Sequence, residues 1–373
     1  MDADLACQPV LINDPQKFDQ MLSQIKEKKR LAVDTESNSL YAYEESVCLL
    51  QISSKETDFV VDTLTGLPIS DLAPIFEDSL TEKIFHAAEY DVICLKRDFG
   101  FTFNNLFDTM HAARVLGKEK LGLAAILEDS FGVNQGRSFQ KADWGKRPLR
   151  ADMLTYACMD THFLFSLRDI YHTRLVEAGR LELAQEDFAR LCAVEPNHHK
   201  DLQVTQINGY HTLTSQELRI LDELCSFRDQ MARKLDRPHF KVIGNQALLR
   251  IAQVKPVTKD QLITIKGISP RVAERYALGL LQAVKRGLSL PEFELPRHRR
   301  PSQDYINRLE ALKQWRKRAA AKMRVQSDIV LPRDVMETIA KVNPRESQAL
   351  KQAMHSVPWR FSNFGDEIMH VLR

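Results

Sequence analysis

The sequence predicts an α/β domain, a mixed sheet flanked by helices, followed by two small all-α modules. Three observations carry this expectation. Short runs rich in Val, Ile, Leu and Phe cluster ahead of residue 90, helical patterns then interleave with and replace them, and the C-terminal half repeats itself at an offset of 88 residues.

The strand signals come first. Residues 30–37 (RLAVDTES), 47–53 (VCLLQIS), 58–62 (DFVVD) and 83–88 (KIFHAA) are apolar runs of strand length. The first three lie close together with polar, turn-like residues between them, which predicts hairpin-connected strands. Helical patterns follow at 90–98, 108–116, 121–131 and 152–178. This α/β domain is placed at 1–190. A connector at 191–211 holds Pro196, Asn197, His198, His199, Lys200 and Gly209.

The remainder reads as helical. Thr214 or Ser215 is positioned to cap a helix over 216–234, with Glu217 in its first turn. Pro256 opens a further segment, and Gly267 with Pro270 marks a turn before a helix at 272–285. Sliding the chain by 88 places Leu221, Leu224, Phe227 and Arg228 on Leu309, Leu312, Trp315 and Arg316, and Val254 and Pro256 on Val342 and Pro344. Strand-like KVIG and DIVL segments recur within one residue of the same offset. The modules are placed at 212–290 and 301–373, the second more divergent, with a Pro- and charge-rich linker at 291–300.

Bulk composition bounds the function. The 373 residues are 44% hydrophobic and 27% charged, with a formal net charge of only +2. That average hides asymmetry. Residues 297–324 hold ten Lys or Arg against two acids, whereas 34–98 carry an acidic excess, as expected of a metal centre with a polyanion-binding flank. Six scattered cysteines without a CxxC pair argue against a zinc ribbon or a disulfide scaffold, and point to a reducing, cytoplasmic setting. No signal-peptide pattern, membrane-length apolar run or GxxxxGK[ST] phosphate loop is visible. No membrane association and no use of ATP are expected.

Asp34 and Glu36 end the first strand, and alternation aims both carboxylates to one side. Two hard oxygen donors so spaced suit Mg²⁺ or a metal pair, although solvated acids at a strand end give the same pattern. Asp91 follows the 83–88 run and sits near a helix start, where an Asp is commonplace. Tyr156 and Asp160 form an i,i+4 pair on one helix face, a pattern that a surface pair also produces.

The set is more specific than its members. A DxE, then an Asp within His86–Asp91, then a YxxxD resembles the DEDD exonucleases of the tyrosine branch. The surrounding text, QKADWGKRPL at 140–149, LTYACMD at 154–160 and Phe107–Asp108–Thr109, resembles the ribonuclease D family, and the duplicated module resembles the HRDC domain shared with RecQ-type helicases. The resemblance covers nearly the entire chain. It departs in one place: most members read DTEF where this chain has Asp34–Thr35–Glu36–Ser37.

That resemblance implies a ribonuclease-H-like exonuclease fold and a metal-dependent 3′→5′ exoribonuclease that releases nucleoside 5′-monophosphates. It implies that Asp34, Glu36, Asp91 and Asp160 bind two Mg²⁺ or Mn²⁺ ions while Tyr156 orients the attacking water. It implies RNA partners, tRNA precursors and other structured RNAs with single-stranded 3′ ends among them. His86 and His162 are read as packing or hydrogen-bonding residues. Lys141, Lys146 and Arg147 are candidates for backbone contact, as are Lys266 before Gly267 and Arg297, Arg299, Arg300 and Arg316 in the basic region. Each has a solvated surface residue as its alternative. Phe227 and Trp315 are read as core rather than base-stacking residues. A monomer is expected. A DNA exonuclease with the same chemistry and a catalytically silent binding module remain the rival readings, because carboxylates do not distinguish sugars.

Overall fold

The structure is a computed structural model that describes residues 7–136, 138–196, 203–295 and 301–373. The chain divides into two compact units. One comprises Met1–Ser37, Val47–Pro196 and Arg300–Arg373; the other comprises Asn38–Ser46 and Asn197–Arg299.

The first unit is built on a six-stranded mixed sheet of β1 (Val10–Ile12), β2 (Arg30–Ser37), β3 (Val47–Ser53), β4 (Asp58–Asp62), β5 (Glu82–Phe85) and β6 (Leu106–Asp108). Its order is β1-β4-β3-β2-β5-β6. The β2–β3 and β3–β4 ladders are antiparallel, as the close spacing of those runs predicts, while β1–β4, β2–β5 and β5–β6 are parallel. Every residue of β3 is buried, so its near-continuous apolar run is what a strand covered on both faces requires. The three-residue strands β1 and β6 were not expected from sequence.

Helices cover both faces: α1 (Pro15–Ile25), α2 (Ala73–Glu77), α3 (Glu89–Phe99), α4 (Thr109–Val115), α5 (Leu123–Phe131), α6 (Ala151–His162), α7 (Leu164–Glu177) and α8 (Leu181–Cys192). The single helix expected over 152–178 is two, broken at Phe163. The main core gathers Ile12, Phe18, Leu31, Val33, Ile84, Val92, Leu167 and Tyr171. A smaller cluster of Cys48, Leu49, Val60, Trp144, Met153 and Ala157 packs α6 and the loop before it onto the other face.

In the second unit the module comprises α9 (Ser215–Lys234), α10 (His239–Val242), α11 (Asn245–Val254), α12 (Lys259–Ile263) and α13 (Pro270–Ser289). Thr214 and Glu217 form a reciprocal capping box at the start of α9. The loop 38–46 belongs here: the Tyr43 hydroxyl donates to Asp229 at 2.8 Å, and Lys241 lies over the Tyr41 ring at 3.7 Å.

The other module, within the first unit, comprises α14 (Gln303–Met323), α15 (Ser327–Val330), α16 (Arg333–Val342), α17 (Ser347–Ala353) and α18 (Pro358–Val371). Each of its helices begins 88 positions after its counterpart. The left-handed residues obey the same offset, Asp236 with Arg324 and Lys255 with Asn343. The KVIG and DIVL segments expected as strands are instead parts of the one-turn helices α10 and α15, followed by Ile243 and Gly244 in the first case and Leu331 in the second. Apolar runs of four residues fit a buried helical turn as well as a strand. Trp315 is a core residue, 4% exposed, and Phe227 packs half-buried against the core, so close to Gly279 that a Cβ there would fall 2.2 Å from its ring.

This module is fastened to α8 by Arg360, whose fully buried guanidinium binds the Glu186 and Asp187 carboxylates and the Ile329 carbonyl. Arg190 pairs with Asp334 at 2.9 Å, and Arg180 donates to the Met323 carbonyl at 2.7 Å.

Among the described residues, no helix is long and apolar enough to cross a membrane. Cys7 and Cys158, 151 residues apart, are joined by a disulfide with Cα atoms 6.3 Å apart. Sequence spacing carries no signal for such a pair.

Candidate active site

β2 runs through the centre of the sheet and emerges from the core after Val33, so Asp34 and Glu36 stand where burial gives way to partial exposure. The antiparallel ladder sets Asp34 directly opposite Gln51 of β3. Gln51 is fully buried, and among the described residues neither its amide nitrogen nor its oxygen has a partner. A buried amide without partners is costly, which marks this face of the sheet as built for something further.

Asp91 lies in the first turn of α3 and is 6% exposed. The turn leading to it passes through Ala87, whose φ of 66° is left-handed and strained for alanine. The buried Asp108 carboxylate holds that turn, accepting from the Ala88 amide at 2.7 Å, the Ala87 amide at 3.3 Å and the His111 amide at 2.8 Å. The Phe107–Asp108–Thr109 segment therefore acts on the site through backbone geometry. The Thr35 hydroxyl donates to the Asp91 carboxylate.

Tyr156 and Asp160 project from α6, which packs across β2, β3 and β4. A buried Ser53–Thr161 hydroxyl pair, 2.7 Å apart, pins the helix to β3. The Tyr156 ring is held between Phe139 and Trp144, with centroids 5.6 and 6.2 Å away. Gln135, 8% exposed, donates to Asp160 at 2.7 Å. Sequence reasoning missed Thr35, Gln51 and Gln135, since none carries a charge or a metal-binding pattern.

The four acids influence one another strongly. Burial, then repulsion from Asp91, Asp160 and Glu36, holds the Asp34 carboxyl far above the usual carboxylate range. Burial and then Asp160 and Asp91 push Glu36 up to about 9. Asp91 and Asp160 are raised by burial too, against the hydrogen bonds from Thr35 and Gln135. Burial and the charges of Asp160, Glu36 and Asp34 raise the Tyr156 phenol. Carboxylates this crowded favour a bound cation, and an all-oxygen donor set suits hard divalent ions. The residues fit such ions.

The other candidates fall in different places. His86 bonds Thr109 at 2.9 Å and His162 bonds Asp58 at 2.7 Å, as hydrogen-bonding residues. Arg147 is engaged within the fold, reaching Asp62 through two 2.6 Å contacts and the carbonyls of Trp144, Lys146 and Cys48. It braces the loop before α6. Arg316 donates to the Leu331 carbonyl at 2.9 Å. Lys141, Lys146 and Lys266 are exposed. Arg297, Arg299 and Arg300 lie outside the described residues.

Comparison with known proteins gives this arrangement a context. Residues 9–175 match the 3′-5′ exonuclease family, and residues 217–284 and 306–372 each match the HRDC domain. The chain thus resembles the 3′-5′ exonucleases in its first half and carries two HRDC-like segments after it. Its likeness to ribonuclease D extends over its whole length: it is 27% identical to ribonuclease D of Gluconacetobacter diazotrophicus across 97% of this chain and 92% of that one. The structure of Escherichia coli RNase D shares the fold, with a TM-score of 0.73 and 21% identity over 98% of both chains. The chain is also 30% identical over 290 residues to the exosome complex exonuclease RRP6 of Saccharomyces cerevisiae, covering 72% of this chain but only 39% of that relative's length.

Proposed function

We propose that this protein is a metal-dependent 3′→5′ exoribonuclease that removes nucleoside 5′-monophosphates from RNA 3′ ends. The observation that carries this reading is the crowded, mutually repelling set Asp34, Glu36, Asp91 and Asp160 with Tyr156 beside it, inside a domain that matches the 3′-5′ exonuclease family. The four carboxylates would hold two divalent cations, Mg²⁺ or Mn²⁺. Such ions supply Lewis acidity at the scissile phosphate and neutralise its charge. Tyr156, kept protonated, donates a hydrogen bond that orients the attacking water rather than removing its proton. Gln135 and Thr35 fix the Asp160 and Asp91 carboxylates. Asp108 holds the turn that presents Asp91.

Polyanion recruitment falls to Lys141, Lys146, Lys266 and the basic segment around Arg297, Arg299 and Arg300, through phosphate contacts that carry no sequence preference. Arg147 and Arg316 serve this role less, since their guanidinium groups are used internally. The domain boundaries we adopt are 1–190, 212–290 and 301–373. The likeness to ribonuclease D favours tRNA precursors and other structured RNAs as substrates, a cytoplasmic monomer, and no requirement for ATP.

The test uses matched 5′-labelled single-stranded RNA and DNA with Mg²⁺, with EDTA, and with Asp34→Asn protein. The proposal requires an RNA ladder that shortens from the 3′ end and depends on both metal and Asp34. Equal or faster trimming of DNA replaces it with a DNA exonuclease, and binding without cleavage replaces it with a recruitment module.

A further inference from the structure

A second cluster of metal-ligating side chains lies outside the acidic site, and its donors are of a different chemical kind. Cys7 Sγ, one oxygen of Asp58 and Nδ1 of His162 all lie within 4.8 Å of one another. The Asp58 carboxylate is 3.6 Å from the sulfur and 2.7 Å from the imidazole nitrogen. Cys158, whose sulfur is bonded to Cys7, stands four residues before His162 on α6, so both lie on one helix face. Cys7 and Cys158 are 7% and 1% exposed.

Regular structure places these groups together. β1 runs parallel to β4 with Val10 opposite Phe59, which brings the segment holding Cys7 alongside Asp58 at the start of β4. α6 crosses β4 and delivers the other two side chains. Two sulfurs, one imidazole and one carboxylate form the donor set that selects a borderline, tetrahedral ion of the Zn²⁺ class. The four catalytic acids offer only oxygen, which suits Mg²⁺ or Mn²⁺. One chain thus presents two sites with opposed preferences.

We propose that, once the Cys7–Cys158 disulfide is reduced, Cys7, Cys158, His162 and Asp58 bind one zinc-class ion that ties the N-terminal segment and β4 to α6. Reduction requires an electron pair. A dithiol supplies two electrons and two protons to the two sulfurs and itself closes to a disulfide. Metal binding then releases the thiol protons to solvent. The disulfide and the metal site are alternative states of the same sulfurs, and this proposal is independent of the exonuclease reading.

The test uses the full chain, stripped of metal and reduced with a phosphine, which becomes its oxide as water supplies the oxygen and the two protons. Co²⁺ alone is titrated in. The expected result is a thiolate-to-cobalt charge-transfer band that saturates at one ion per chain and is abolished by Zn²⁺. Cys7→Ser, which alters only the segment before β1, and Cys158→Ser should each remove the band. His162→Gln should weaken it. Asp34→Asn should leave it intact, because that variant alters only the oxygen site. The proposal is overturned if no sulfur band appears, if the unreduced chain gives the same band, or if the band survives both cysteine variants and disappears in Cys192→Ser.

Discussion

At the scale of the residue, the site is a balance between charge and its surroundings. Folded-state values of Asp34, Glu36, Asp91 and Asp160 are raised above their unfolded values. The folded chain therefore binds more protons than the unfolded chain between about pH 4 and about pH 9, the value for Glu36. Raising the pH through that window must destabilise the metal-free protein. Thermal unfolding in EDTA should show a melting temperature that falls from pH 5 to pH 8, with Mg²⁺ or Mn²⁺ restoring more stability at the higher pH. Asp34→Asn should raise the metal-free melting temperature while abolishing cleavage; a flat pH profile contradicts the account. Gln135→Leu leaves Asp160 without its donor and should weaken Mn²⁺ affinity or activity by about 10–100-fold, the usual cost of losing a partner of a metal ligand. Because its phenol stays protonated, Tyr156→Phe should lower kcat without shifting the alkaline limb of the pH–rate profile. Movement of that limb would assign Tyr156 the role of base.

The sequence displayed Asp34, Glu36, Asp91, Tyr156 and Asp160 because their spacing follows chain direction along one strand and two helix turns. It hid Gln135 and Gln51, whose importance comes only from what the fold sets opposite them. It hid the Cys7–Cys158 pair for the same reason.

At the scale of the element, long and strongly patterned segments were legible and short ones were not. β2, β3 and β4 fall where their apolar runs predict, and α9 begins at its capping box. β1 and β6, three residues each, carry too few side chains to show a period and are defined by the strands they pair with. The 88-residue offset was legible because it preserves whole helices and even their left-handed ends. The contact of α18 with α8 gives a prediction for this scale. Arg360 is fully buried among Glu186, Asp187 and a carbonyl, so Arg360→Ala leaves two carboxylates uncompensated. Equilibrium unfolding should register a loss of about 3–5 kcal/mol. A loss below about 1 kcal/mol would mean that this ion pair is not buried in solution.

At the scale of the whole molecule, the division of labour follows from where charge is placed. Acids converge at the end of the central strand β2, whereas the excess of basic residues lies in the segment 297–324. Affinity and chemistry should therefore separate. Replacing Arg297, Arg299 and Arg300 together should raise KM and flatten the salt dependence with little change in kcat, whereas substitutions at the four acids should act on kcat. The account's central claim is that those four acids carry the cleavage. The most direct measurement is single-turnover release of the terminal nucleotide from 3′-labelled RNA, comparing wild type with Asp34→Asn, Glu36→Gln, Asp91→Asn and Asp160→Asn, each shown to be folded. The account predicts that wild type with Mg²⁺ or Mn²⁺ releases the label as a nucleoside 5′-monophosphate and that each variant loses this activity. Release that persists in any of the four, or that proceeds undiminished in EDTA, contradicts it.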